Sequence, residues 1–283
     1  METTTQLCYE SPYCYHERAI RLDTSHAACS RQQAEQYMQD GTLSKLDMEI
    51  LRILFQLGYA DRNQIERELE PYSGRKPKNL KRTMNHLIED GIVRAYYNTE
   101  RDTLWFYSLT PEVRSLLKLL GYASELPLDG VDMNILEICR TLAYHQFYRS
   151  FCAGATVISH ERNYMVNGSH GEVISDGYIV LGGKTGKPER IFVHVARRNY
   201  GNISDAISWY RAMGSYIQGG SRSVTLFLCE SDTHALELAR NMEDLPETLQ
   251  RYYLFDTLCG GSESVAKRIL HYEENAMHYG TIY

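Results

Sequence analysis

Apolar residues recur at helical spacing through 45–89, then switch to short strand-like runs, and a second alternation of helical and extended patterns fills 131–283. In the first block, Leu46, Ile50, Ile53, Leu54 and Leu57 share one face and stop at Gly58, which predicts a helix. Asp61 can cap a second helix that carries Ile65 and Leu69 and is expected to end at Pro71. Leu80, Met84, Leu87 and Ile88 line one face of a third. Pro77 suits its first turn, where an amide hydrogen would be unpaired anyway, and Gly91 is the left-handed residue such helices end on. Two β-rich runs, 92–97 and 103–109, surround a polar turn at 98–102.

Residues 1–23 have no clear period and are read as an arm. Thr24 or Ser25 can cap a short helix reaching about Asp40 and closed by Gly41. Its face rich in Ala, Gln and His is expected to pack on the next domain or on a second copy of the chain. Residues 111–130 read as a closing helix and a linker.

Beyond the linker, a helix over 131–151 precedes β-rich stretches at 155–159, 172–181 and 190–197. A helix (204–218), a strand (223–229), a helix (233–242) and a strand (252–258) follow, with a last helix expected over 262–278. The order is that of a mixed α/β domain, so the whole chain is α+β. Three segments result: 1–44 as arm and short helix, 45–120 as a helical domain with a hairpin, and 131–283 as the α/β domain.

A length of 283 residues, 43% hydrophobic and 23% charged, fits two soluble domains. No apolar run nears the roughly 20 residues of a membrane span, and the first residues lack the pattern of a secretory signal. A cytoplasmic location is expected. Seven scattered cysteines, never spaced as CxxC, read as reduced thiols. Cys8, Cys14 and His16 lack a fourth partner for a metal, and no cofactor is expected.

Charge sharpens this picture. The chain carries −6 overall, but residues 73–88 hold five cations and no acid. Phosphates are drawn to concentrated cations whatever the net charge. Arg75, Lys76 and Lys78 precede or enter the third helix, where cations oppose the helix dipole, and Lys81 belongs to the same cluster. Lys78, Asn79, Arg82, Thr83 and His86 are expected to enter a major groove, with Arg75 and Lys76 on phosphate. Arg94, Asn98 and Arg101 in the hairpin are expected to reach the backbone or minor groove. Trp105, Phe106 and Tyr107 read as hairpin packing, though one exposed ring could also stack on a base. Gly182–Lys187 lacks the spacing of a phosphate loop and reads as a turn between strands.

Three helices followed by a hairpin, with the junction Leu87-Ile-Glu-Asp-Gly-Ile-Val93, resemble winged-helix DNA-binding domains over about 45–118. The αβββαβαβ order over about 131–260 resembles the PD-(D/E)XK nuclease-like, restriction-endonuclease-like fold. Together the two resemble the replication-relaxation family of plasmid and conjugative-element proteins. In active nucleases of this fold an aspartate ends the second strand and a Glu-x-Lys lies on the third, holding a divalent metal and an attacking water. Here Asp176 holds the first position, His194 stands for the second carboxylate and Ala196 for the lysine. Glu137 and Glu172 could add carboxylates, but neither restores the lysine. The resemblance therefore implies a degenerate nuclease domain, and a non-catalytic protein that binds a specific duplex site such as an origin of transfer or replication. The second domain would dimerise or recruit a relaxase or replication protein. The alternatives are a transcriptional regulator and a metal-dependent DNA nuclease.

Overall fold

Serine and aspartate side chains start the first three helices, and each leaves a mark in the sequence. This computed structural model describes residues 11–14, 19–73, 79–99, 101–122, 134–168, 171–182, 189–198, 202–216, 223–247, 249–260 and 264–280. The chain divides into two compact units, one of residues 16–138 and one of 139–283 joined by residues 11–14. No helix among the described residues is long and apolar enough to cross a membrane.

The first unit opens with β1 (Ile20–Leu22) and α1 (Arg31–Gln39). Ser30, not Thr24 or Ser25, caps α1 in a reciprocal box with Gln33. Ala34 is fully buried and α1 packs on the later helix α5 (Pro111–Leu119), so the short helix packs on the segment that follows it, as expected, while β1 pairs within this unit from the stretch read as an arm. A three-residue strand is too short for its periodicity to show this.

Ser44 and Asp47 cap α2 (Lys45–Leu57), whose Ile50, Leu51, Ile53 and Leu54 are buried. After Gly58 comes β2 (Tyr59–Asp61), a strand whose three residues carry no alternation to predict it. Asp61 Oδ1 accepts from the Gln64 amide at 2.8 Å and Gln64 Oε1 accepts from the Asp61 amide, starting α3 (Arg62–Ser73). This helix continues two residues past Pro71. α4 (Leu80–Glu89) begins at Leu80, three residues beyond Pro77.

β3 (Val93–Asn98) and β4 (Arg101–Leu109) form the hairpin, in an antiparallel sheet of order β1-β3-β4-β2. Val93, Ala95, Tyr107 and Leu109 face the helices, joining Ile50, Leu54, Ile65, Met84 and Leu87 in one core. On the other face Tyr96 stacks on Phe106 with centroids 5.0 Å apart, and Tyr59 meets both rings edge-on.

The turn after α4 holds the unit together. The Gly91 amide donates to Ile88 O and the Ile92 amide to Leu87 O, with Gly91 at φ 68°, the two-bond helix end that requires a left-handed residue. The backbone of 27–29 crosses Gly91, and Cys29 N donates to Gly91 O at 2.9 Å. A Cβ on Gly91 would lie 2.2 Å from Ala27 O.

In the second unit, α6 (Ile135–Cys152) precedes β5 (Val157–Gly168), β6 (Gly171–Leu181) and β7 (Glu189–Val195), an antiparallel meander. β5 extends well beyond the expected 155–159, because an edge strand can carry the polar run His160–Asn163 without an apolar pattern. α7 (Asn202–Tyr216), β8 (Ser223–Cys229), α8 (Asp232–Asn241) and β9 (Gln250–Phe255) follow, with β7, β8 and β9 parallel. β7 and β8 are near-continuous apolar runs buried on both faces, as central parallel strands must be.

A short α9 (Asp256–Cys259) replaces the end of the expected strand 252–258, and in place of the expected terminal helix come a 3₁₀ turn (Val265–Lys267) and the hairpin β10 (Ile269–Glu273) and β11 (Ala276–Gly280). Glu274 and Asn275 both have positive φ, 51° and 64°, the geometry of a two-residue hairpin turn. Helix-favouring Glu and Ala hid this turn. Docking of β10 on β9 through Leu270 and Tyr253 overrides that propensity.

Gly91→Ala is expected to destabilise the chain by at least about 2 kcal/mol, combining left-handed strain with a clash that has no flexible side chain to yield. Urea denaturation followed by circular dichroism checks this, and a loss under about 0.5 kcal/mol, the range of ordinary surface substitutions, would contradict it.

Candidate nucleic-acid interface

α4 leaves one face to solvent. Asn79, Lys81, Arg82 and His86 are exposed and Thr83 is half-buried, while Leu80, Met84 and Leu87 hold the opposite face in the core. Lys81 and Arg82 lie in the first turn and have no partner among the described residues. The Asn79 side chain does not cap the helix, so the first-turn amides keep their donors. His86 bonds Asp90 at 2.9 Å, and Glu89 and Asp90 make the far end of the helix acidic. Cationic character is thus confined to the amino end of α4.

The hairpin residues divide. Arg94 is half-buried on β3. Asn98 is only 2% exposed, which overturns its expected role as a backbone contact. The strand register shifts between Tyr97 and Asn98, and β1 pairs across it, with Ile20 opposite Asn98. Arg75, Lys76, Lys78 and the Arg101 side chain lie outside the described residues. Exposed Asn85, one turn beyond Lys81, was missed. The spacing of four from Lys81 was the available signal.

In the second unit the structure does bring Asp176 and His194 together. His194 Nδ1 lies 3.7 Å from Asp176 Oδ2. Arg140 on α6 donates to both Asp176 oxygens, Nε to Oδ1 at 2.9 Å and Nη2 to Oδ2 at 2.6 Å. The Val195 amide donates to Oδ2 at 2.8 Å. Burial, the largest influence, would raise the Asp176 pKa, but the Arg140 guanidinium, His194 and the Val195 amide together outweigh it and hold the carboxyl below its ordinary value. Burial, reinforced by Arg140, lowers His194 to about 3. His194 is therefore neutral at neutral pH, and the charge that balances Asp176 is Arg140's. The imidazole stacks on Trp209 at 4.8 Å, whose indole donates to Ile174 O.

Ala196, just past the end of β7, is buried and adds no charge. Glu137 is committed to a reciprocal cap with Asn134, and Glu172 is exposed. Among the described residues no group of three or more His, Cys, Asp or Glu is arranged to hold a metal. Arg140 had one sequence signal, a cation within the largely apolar helix that runs from Ile135 to Cys152.

A second buried charge cluster lies at the carboxyl ends of the three parallel strands. Arg197 follows β7, Glu230 follows β8 and Asp256 follows β9, the edge where open α/β sheets form their crevice. Arg197 Nη2 lies 3.1 Å from the Asp256 carboxylate. Residues 11–14 fill this place: Ser11 donates to Asp256, and Tyr13 to Gln146. Burial raises the Cys229 and Cys259 thiols, leaving them neutral and poor nucleophiles. Cys14 is buried here, while Cys8 and His16 lie outside the described residues.

Comparison with known proteins finds no protein-family model, no curated protein and no solved structure that matches the chain.

Arg140→Met strands a buried carboxylate and is expected to cost about 2–4 kcal/mol, with Asp176→Asn in the same chain recovering part of the loss. Chemical denaturation of the single and double variants measures this coupling. The His194 imidazole has its own pH signature. Its folded pKa of about 3 lies below the ordinary 6.5, so the stability it contributes is present above 6.5 and is lost as pH falls towards 3. Between pH 7 and 5 the wild type should lose up to about 2 kcal/mol more than His194→Phe, at about 1.4 kcal/mol per pH unit below 6.5. Equal losses in urea titrations at the two pH values would contradict a neutral buried His194.

Proposed function

We propose that the first unit is a winged helix-turn-helix that binds double-stranded DNA, with α4 in the major groove and the β3–β4 hairpin as wing. The order α2, β2, α3, α4, β3, β4, with β2 paired to β4, supports this reading. The observation that carries it is Lys81 and Arg82, exposed and unpartnered in the first turn of a helix with no side-chain cap. Each cation there opposes the helix dipole by about 0.3–1 kcal/mol, a penalty a bound phosphate removes. Arg82 and His86 are the residues that reach base edges, and Lys81 takes phosphate.

The second unit is a restriction-endonuclease-like fold without a catalytic role. Its order α6, β5, β6, β7, α7, β8, with an antiparallel meander and β8 parallel to β7, supports that assignment. Asp176 stands on the second strand, with its oxygens taken by Arg140 and the Val195 amide rather than free for a cation. The family resemblance extends this to an accessory protein of a mobile genetic element. It marks an origin of transfer or replication for a relaxase, and a homodimer suits a pseudo-palindromic site.

Duplex affinity measured against salt tests the reading. Lys81→Ala should lower the slope of log affinity on log salt by about 1 for a lost phosphate contact, while Arg82→Ala should cost about 1–3 kcal/mol and relax the preference for the specific site. Unchanged affinity and slope in the double variant would sink it. Supercoiled DNA incubated with magnesium or manganese should stay uncut, and cleavage abolished by Asp176→Ala would overturn the non-catalytic assignment.

A further inference from the structure

A cleft of about 660 Å³ opens beside α4, between its Lys81–Glu89 side, the start of α3 and strand β4. Trp105 lines it and is 36% exposed, tilted against Tyr97 with ring centroids 5.5 Å apart. An indole left partly in water at the edge of a cleft forgoes burial that a flat ligand would supply. Met84, Ile88 and Tyr107 add apolar surface to the lining.

The polar lining narrows the ligand. Asn63 and Asn85 are exposed, line the cleft, and make no side-chain hydrogen bond among the described residues. Each amide offers a donor and an acceptor side by side, the pairing that suits an adenine edge. The charges do not favour a bare anion. Lys81 and Arg62 are set against Asp23, Asp61 and Glu89, and Arg62 is already paired with Glu66 at 2.9 Å. Asp61 is spent on the α3 cap, and bonds from Ser25 hold the Asp23 pKa below its ordinary value, so Asp23 stays ionised. A neutral, planar, hydrogen-bonding ring fits this lining better than a phosphate or an aliphatic chain.

We propose that this cleft binds a purine base, stacked on Trp105 and held at its edge by Asn63 and Asn85. The base comes either from an unpaired nucleotide of DNA lying on α4 or from a free nucleoside. The first source rests on the DNA-binding reading above and the second does not. Stacking contributes a loss of roughly 5- to 150-fold in affinity on alanine substitution.

Two titrations of the full chain separate the sources. In the first, duplexes with one unpaired 2-aminopurine are compared with fully paired controls by fluorescence and by competition. In the second, free adenosine is followed by tryptophan quenching. A preference for the unpaired duplex of about tenfold, lost in Trp105→Ala and partly restored in Trp105→Phe, supports the proposal with DNA as source. Saturable adenosine quenching in the wild type that is lost in Asn85→Ala, without that preference, supports it with a free nucleoside as source. Asn85→Ala, on the exposed side of a helix, gives a second variant that does not depend on the hairpin folding around alanine, and it should weaken whichever signal is present. If neither preference nor quenching is seen, the proposal is overturned. Salt-dependent binding of paired duplex would then stand by itself, and its absence as well would remove the DNA-binding reading separately.

Discussion

At Gly91 the backbone of residues 27–29 passes so close that any side chain would strike Ala27 O, and this crossing sets where α4 stands. Four features meet at that point: the end of the helix, the start of β3, the strap leading into α1, and the bond from Cys29. The turn also fixes the helix in rotation, because its Ile92–Leu87 bond ties the first hairpin residue to the last turn. With Leu80, Met84 and Leu87 held in the core, Lys81, Arg82, Asn85 and His86 have only solvent to face. The exposed face of α4 is thus a by-product of packing on the other side of the helix.

The two units treat charge in opposite ways. The second takes it inside and neutralises it, Asp176 with Arg140 and Asp256 with Arg197. A buried pair stabilises little against an apolar replacement, but losing one partner is expensive. Such pairs therefore tie specific elements together: α6 to β6, and the end of β7 to the end of β9. The first unit leaves Lys81 and Arg82 outside and unpaired, where attraction to a polyanion acts across solvent and responds to salt.

Helical periodicity made α2, α3 and α4 legible, down to the cap at Asp61 and the left-handed Gly91, because a core-facing stripe repeats every three to four residues. The meander and parallel strands were legible as apolar runs. β1 and β2 were not, since three residues are too few to show a period. The terminal hairpin was misread because Glu and Ala favour helix locally, and only pairing with β9 reverses that preference. At the site, Lys81, Arg82 and His86 were visible as an exposed cluster. Asn98 was not recognisable as buried, because a register shift and a covering strand decide its direction.

The sequence by itself determined much of the order of elements, the cap at Asp61, the left-handed Gly91 and the concentration of cations before and within α4. These are local properties, written in spacing and residue type. Tertiary structure alone decided that Arg140, 36 positions away, would take both oxygens of Asp176. It also decided that residues 11–14 would close the carboxyl edge of the parallel strands, and that Trp105 would line a cleft with Asn63 and Asn85. The physical reason is that charge pairing and cavity shape depend on which surfaces meet. Residues distant in the chain meet only after the helices and sheets have buried their apolar faces.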